Sequence, residues 1–285
     1  MDTTVYPAPH VVESTAPHTH TVIFLHGSSS CGKDFADSLG QVELTKFPLL
    51  NIFSRFPTFR WVFPSCKRIY STQFRDKLNQ WFDVYSLEDP SEKEHLQRPG
   101  LRESVAHLRP LLHDELVKVG GRATRMILAG YDQGAALALL LLLLQEPSNS
   151  FRGFIGYGGW MPFRGVLKDM TELTAAQEWL QNRLNSAPRV SAYISDPNAI
   201  YYDTHPTKVL LGHGQDDAVV DVSLAEEVKT ILQGMKYEIT TLRYVGAGGS
   251  GHWFKEPEAL DEMATFIQAI THAYSPGVSL PESPL

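Results

Sequence analysis

Cysteine is nearly absent: Cys31 and Cys66 are the only two in 285 residues, and they do not stand in a C-x-x-C spacing. That argues against a disulfide framework or a cysteine-built zinc site and fits a reducing compartment, so the chain is expected in the cytoplasm with two free thiols. A block of one charge sign is also missing. Twenty-five Lys and Arg against thirty-two Asp and Glu leave a formal charge of −7, spread without the basic patch that tracks phosphates, and nucleic acid is not an expected partner. Met1 to His10 carries no basic region followed by an apolar core, so no secretory signal is read there. The longest uninterrupted apolar run, Ala135 to Leu144, is about half of the ~20 residues that a bilayer-spanning helix needs. No integral membrane segment is expected, and no internal repeat is present.

What is there suits one α/β domain. Hydrophobic residues make up 43% and charged residues 20%, the balance of an ordinary globular enzyme. The domain is expected over residues 21–274, between an N-terminal arm (1–20) and a proline-rich mobile tail (275–285). Short β-rich runs at Thr21 to Leu25, Phe59 to Phe63, Met126 to Ala129, Phe151 to Tyr157, Lys208 to Leu211 and Tyr237 to Tyr244 read as strands. Helices are expected from Asp34, as cap, to about Thr45, over Leu101 to Val119 with a kink at Pro110, and over Glu172 to Leu184, Ser223 to Gly234 and Pro257 to Ala273. Alternating strands and helices imply a mainly parallel sheet covered on both faces. Residues 163–206 form a long excursion between strands, the place for a lid or cap or for a plain surface loop.

One stretch organises the rest. In R-M-I-L-A-G-Y-D-Q-G-A-A-L-A-L-L-L-L-L-L (125–144) an apolar strand meets a glycine-flanked turn and then an Ala/Leu helix, the layout of a nucleophile elbow. Its central residue is Asp132, where the elbow motif has serine. Functional side chains gather at the carboxyl ends of strands in open α/β sheets. Four loops stand there in this chain, carrying His26-Gly27-Ser28, Asp132-Gln133, Asp217 and His252. Their order, nucleophile position then acid then histidine, is the α/β-hydrolase order. Taken singly, Asp217 reads equally as a helix cap and His252 as a polar loop residue; together, after the right strands, they read as a site.

The chain resembles the phospholipase/carboxylesterase family that includes acyl-protein thioesterases, in V-I-F-L-H-G (22–27), W-F-D (81–83), G-Y-D-Q-G-A-A-L (130–137), G-G-W-M-P (158–162), H-G-Q-D-D (213–217) and Gly251-His252. The resemblance implies an α/β-hydrolase fold. It also implies that Asp217 orients and charge-balances His252, that the backbone amides of Ser28 and Gln133 form the oxyanion hole, and that the substrate is an ester or thioester of an apolar acyl group, small-molecule or lipid-like. Three departures stand beside it: Asp132 for serine, a longer 163–206 segment, and S-S-S-C-G after His26-Gly27 where the family has L-G-D-T-G.

An aspartate changes the chemistry. Carboxylate attack on an ester gives a mixed anhydride, and because carboxylate leaves far more readily than alkoxide, the intermediate collapses backwards, so serine-type esterase turnover is not expected. An elbow aspartate suits attack on saturated carbon, as in an epoxide, with His252 activating water against the resulting alkyl ester. It also suits proton transfer without a covalent bond, and a non-catalytic binding protein is the third alternative. Tyr193, Tyr201 and Tyr202, in the long segment, are candidate leaving-group donors. Trp81, Trp160, Trp253 and Phe254 are candidate walls of an apolar substrate pocket, or equally core packing. His18 and His20 read as part of the arm, no metal or cofactor site being indicated, and His213 as support for the Asp217 loop.

Overall fold

The computed structural model describes residues 5–145, 150–184 and 207–272. Among the described residues, seven strands form the main sheet: β1 (His10–Val12), β2 (His20–Leu25), β3 (Phe59–Phe63), β6 (Met126–Tyr131), β7 (Gly153–Tyr157), β8 (Lys208–Gly214) and β9 (Glu238–Tyr244). Their spatial order is β1-β3-β2-β6-β7-β8-β9, all parallel except β1, which pairs antiparallel with β3. Side chains alternate across the pleat, so Ile23 and Leu25 of β2 enter one core while Val22 and Phe24 enter the other.

Helices cover both faces. On one side lie α2 (Gln97–Lys118), α3 (Gln133–Leu143), α5 (Leu173–Leu184) and α6 (Val222–Gly234). On the other, α1 (Gly32–Gln41) and α7 (Glu258–His272) pack Phe35, Leu39, Leu260 and Met263 against the strands. The elbow helix α3 is buried over its whole length, because β2, β6, β7, α2 and α5 wall it on every side. Its leucines need no polar face, and each one buried contributes about 1.5–3 kcal/mol.

Several expectations are corrected. The first helix starts at Gly32, and Cys31 caps it by accepting the Asp34 N–H on its sulfur; Asp34 itself lies in the first turn. The helix expected from Leu101 begins at Gln97 and runs through Pro110 to Lys118. The arm is not free of structure, since His10–Val12 protects the edge of β3 by pairing with it. A hairpin of β4 (Lys67–Ser71) and β5 (Asp76–Gln80) stands outside the main sheet where no strand is expected from the sequence. Within the long excursion, α4 (Arg164–Leu167) and α5 are described, and α5 packs on α2 and α3 as part of the helical layer. Residues 185–206, with Tyr193, Tyr201 and Tyr202, lie outside the described residues, as does the tail 275–285. Among the described residues, no helix is long and apolar enough to cross a membrane.

Candidate active site

The strand-to-helix turn holds Asp132 at φ 53°, ψ −126°, a backbone state that few non-glycine residues adopt. It persists because the surroundings fix it. The Asp132 N–H donates to Tyr157 O on β7 at 2.8 Å, and the first turn of α3 closes on the Asp132 carbonyl through Ala135 and Ala136. Gly134 is required by close approach: a Cβ there would stand 2.4 Å from the carbonyl oxygens of Leu25 and His26. The turn therefore presses against the end of β2 and lifts Asp132 into the loop that follows it.

That loop meets the carboxylate. Ser28 donates both its N–H and its Oγ–H to Asp132 Oδ2, each at 2.8 Å, and the Gln133 amide also supports the carboxylate. Ser28 and Gln133, expected as the oxyanion hole, thus point at the chain's own side chain. On the other side, His252 Nε2 lies 3.6 Å from Asp132 Oδ1, while His252 Nδ1 is 2.7 Å from Asp217 Oδ2. Asp217 Oδ1 accepts the N–H groups of Val219 and Val220, and His213 Nε2 approaches Oδ2 at 3.2 Å and Val220 O at 2.8 Å. The structure brings Asp132, Asp217 and His252 into one line.

Electrostatics follow from that line. Burial alone would depress the His252 pKa, but the neighbouring carboxylate of Asp132 and the charge and hydrogen bond of Asp217 outweigh it and raise the value to about 9. Burial would raise Asp132, yet His252 and the amides of Ser28 and Gln133 draw it below the usual carboxylate range. Asp217 is drawn down too, burial again being outweighed by His213 and His252. At neutral pH the site is an imidazolium between two carboxylates. It can give a proton before it can take one.

His26 is different. Burial pushes its pKa down to about 4, and it stays neutral, with Nδ1 2.6 Å from Gly27 O and Nε2 accepting the Cys66 N–H. It shapes the Ser28 loop and carries no charge there.

Two supporting side-chain roles go unread in the sequence. The Gln133 side chain accepts the Trp81 N–H at 2.6 Å and donates to Phe82 O at 2.8 Å, fixing the W-F-D loop. The Tyr131 hydroxyl donates to His252 O at 2.8 Å, so the residue before Asp132 holds the histidine loop. A polar residue in an otherwise apolar buried helix is the signal that could have found Gln133.

The expected pocket walls do not gather. Trp81, Trp160 and Phe254 are each 1% exposed, packed in the core, and Trp81 Nε1–H is spent on His26 O. Trp253 is half-buried against Tyr131 and Phe35, its indole N–H turned to Glu256. His18 Nε2 contacts Thr21 Oγ1, and the His20 ring stacks on Phe59.

Comparison with known proteins gives the same picture. Over 264 residues the chain is 24% identical to acyl-protein thioesterase 1 of Gibberella zeae, covering 92% of this chain and 94% of that protein. It is 25% identical to acyl-protein thioesterase 1 of Schizosaccharomyces pombe over 67% of this chain and 79% of that one. Its fold matches acyl-protein thioesterase 2 of Zea mays with a TM-score of 0.62 at 22% identity, over 93% of this chain and 99% of that chain. The model of the phospholipase/carboxylesterase family matches residues 7–181. With that match over more than half its length, and a mostly parallel sheet of this order beneath it, the chain belongs to the phospholipase/carboxylesterase family of α/β-hydrolases.

Proposed function

We propose that the chain is a hydrolase of the carboxylesterase and thioesterase kind, cleaving an ester or thioester of an apolar acyl group at the site around Asp132, Asp217 and His252. The observation that carries this reading is the position of His252, bonded to Asp217 at 2.7 Å and facing the elbow side chain at 3.6 Å. An imidazole so placed can exchange a proton with a leaving group on an acyl carbon attached at the elbow. The acyl class comes from the likeness to acyl-protein thioesterases. A cytoplasmic setting belongs to the same reading, resting on two unpaired cysteines.

Displacement at saturated carbon, with His252 activating water against the alkyl ester, would use the same Asp132–His252 pair; the likeness to acyl-protein thioesterases favours the acyl substrate.

The test uses a short-chain aryl ester. The Asp132→Ser variant should turn it over, and His252→Ala in that serine background should lower the rate by about a thousandfold or more. A silent serine variant with unchanged folding would refute the reading, leaving a protein that binds without hydrolysing.

A further inference from the structure

On the reading just given, we propose that Asp132 is itself the nucleophile, and that it makes the site selective for thioesters by way of an acyl-aspartyl anhydride that water opens at the aspartyl carbon.

The two carboxylate oxygens are not equivalent. Oδ2 is tethered to Ser28 N–H and Oγ–H, while Oδ1 faces His252 Nε2 at 3.6 Å, beyond a normal hydrogen bond. Oδ1 is therefore the oxygen with lone pairs to give. The groups around Oδ2 already form an oxyanion hole, and its occupant is the aspartyl oxygen.

In the first half, Oδ1 attacks the thioester carbonyl carbon, and the carbonyl π pair moves to its oxygen. That oxyanion collapses, the C–S bond breaks, and sulfur leaves with the bonding pair while taking the Nε2 proton of the imidazolium. A free thiol, a neutral His252 and the anhydride result. In the second half, neutral His252 takes a proton from water, whose oxygen attacks Asp132 Cγ. The π pair moves onto Oδ2, where the Ser28 N–H and Oγ–H hold the charge. Collapse breaks the bond from Cγ to Oδ1, releasing the acyl group as a carboxylate that keeps Oδ1. Asp132 retains the water oxygen and sheds one proton to solvent; His252 is again an imidazolium. The sum is thioester plus water giving thiol, carboxylate and a proton.

Leaving groups decide the selectivity. The first tetrahedral species can expel Asp132, of pKa about 3.9 in solution, or the substrate's leaving group. A thiol, near the ~8.5 of cysteine, lies about five powers of ten away, and proton donation from the adjacent imidazolium narrows that gap. An alcohol, near the ~15.7 of water, lies about twelve away, and the oxyester returns to reactants. A serine at 132 expels as poorly as an alcohol and so loses the distinction.

The experiment compares a thioester and an oxyester of the same short acyl group, and follows one turnover of the thioester in heavy-oxygen water with the protein in excess. The unmodified chain should prefer the thioester by about a thousandfold or more, and Asp132→Ser should narrow this to within about tenfold. After one turnover the heavy oxygen should sit in the peptide containing Asp132, and the released acid should carry none. Label in the acid alone, equal rates on the two substrates, or undiminished thioester turnover by Asp132→Asn would each overturn the proposal. If the unmodified chain is inert on both substrates while Asp132→Ser cleaves them, this proposal falls, and what stands of the hydrolase reading is the scaffold around Asp217 and His252. If the serine variant is silent too, both fall.

Discussion

At the scale of single residues the decisive feature is a histidine shared by two acids. Raised to about 9 from its ordinary ~6.5, the His252 pKa makes stability depend on pH in a definite direction. The contribution is full below about pH 6.5, where the imidazole is charged folded or unfolded, and is lost as pH rises through about 9. Urea unfolding should therefore show the chain losing on the order of 2 kcal/mol between pH 6.5 and 9.5, with Asp132→Asn losing clearly less. The imidazole NMR signal should titrate near pH 9 and fall by at least about one unit in that variant. A midpoint below 7 in both proteins would contradict the assignment. Gln133 offers a second check. Gln133→Ala strands the Trp81 N–H and the Phe82 carbonyl in a buried place, and should cost about 2–4 kcal/mol in chemical unfolding, a loss under about 0.5 kcal/mol counting against its role as a clamp.

These residues also mark what the sequence discloses. Asp217 and His252 are legible because they follow strands in the order a hydrolase needs, so their chemistry and their place coincide. Trp81, Trp160 and Phe254 are not, because a large aromatic side chain fits a substrate wall and a core equally, and only the third dimension separates the two. Tyr131 and the head of Gln133 act through hydrogen bonds to loops far away in the chain, which no local spacing encodes.

At the scale of elements, the elbow is the most constrained. Gly134→Ala would drive a Cβ onto two carbonyl oxygens of β2 and its following loop, both backbone and unable to swing aside. The variant should lose about 3 kcal/mol or more, read as a lowered urea midpoint; an unchanged midpoint would mean the turn yields more easily than its geometry implies. Buried parallel strands such as β6 and β7 are easy to read, being apolar throughout. The β4–β5 hairpin is not, for K-R-I-Y-S and D-K-L-N-Q expose polar residues, and the turn between them puts Arg75, a non-glycine, at φ 54°. β1 is missed for its length: three residues are too few to show alternation.

For the molecule as a whole, the sheet has to end somewhere on each side. β1 closes one end by lying on β3, with Glu13 just beyond it paired to Arg60. At the other end β9 presents a polar outer strand, its Glu238 paired with Lys208 of β8. Removal of residues 1–14 would uncover β3, a strand of F-R-W-V-F, and such an edge recruits other strands. Concentration-dependent self-association beyond that of the full chain is expected in sedimentation, together with a lower melting temperature. Identical sedimentation and melting of the two would deny β1 its protective role.

The wholly buried elbow helix has a consequence for how the chain is made. Its walls are synthesised in sequence: β2 and α2 precede it, whereas β7 and α5 follow. During translation, then, ten consecutive apolar residues from Ala135 to Leu144 emerge before the last of their neighbours exists. With no polar side to turn outward, this segment is the point at which a nascent chain is most exposed to the wrong company, and the point where a chaperone would find its best handhold.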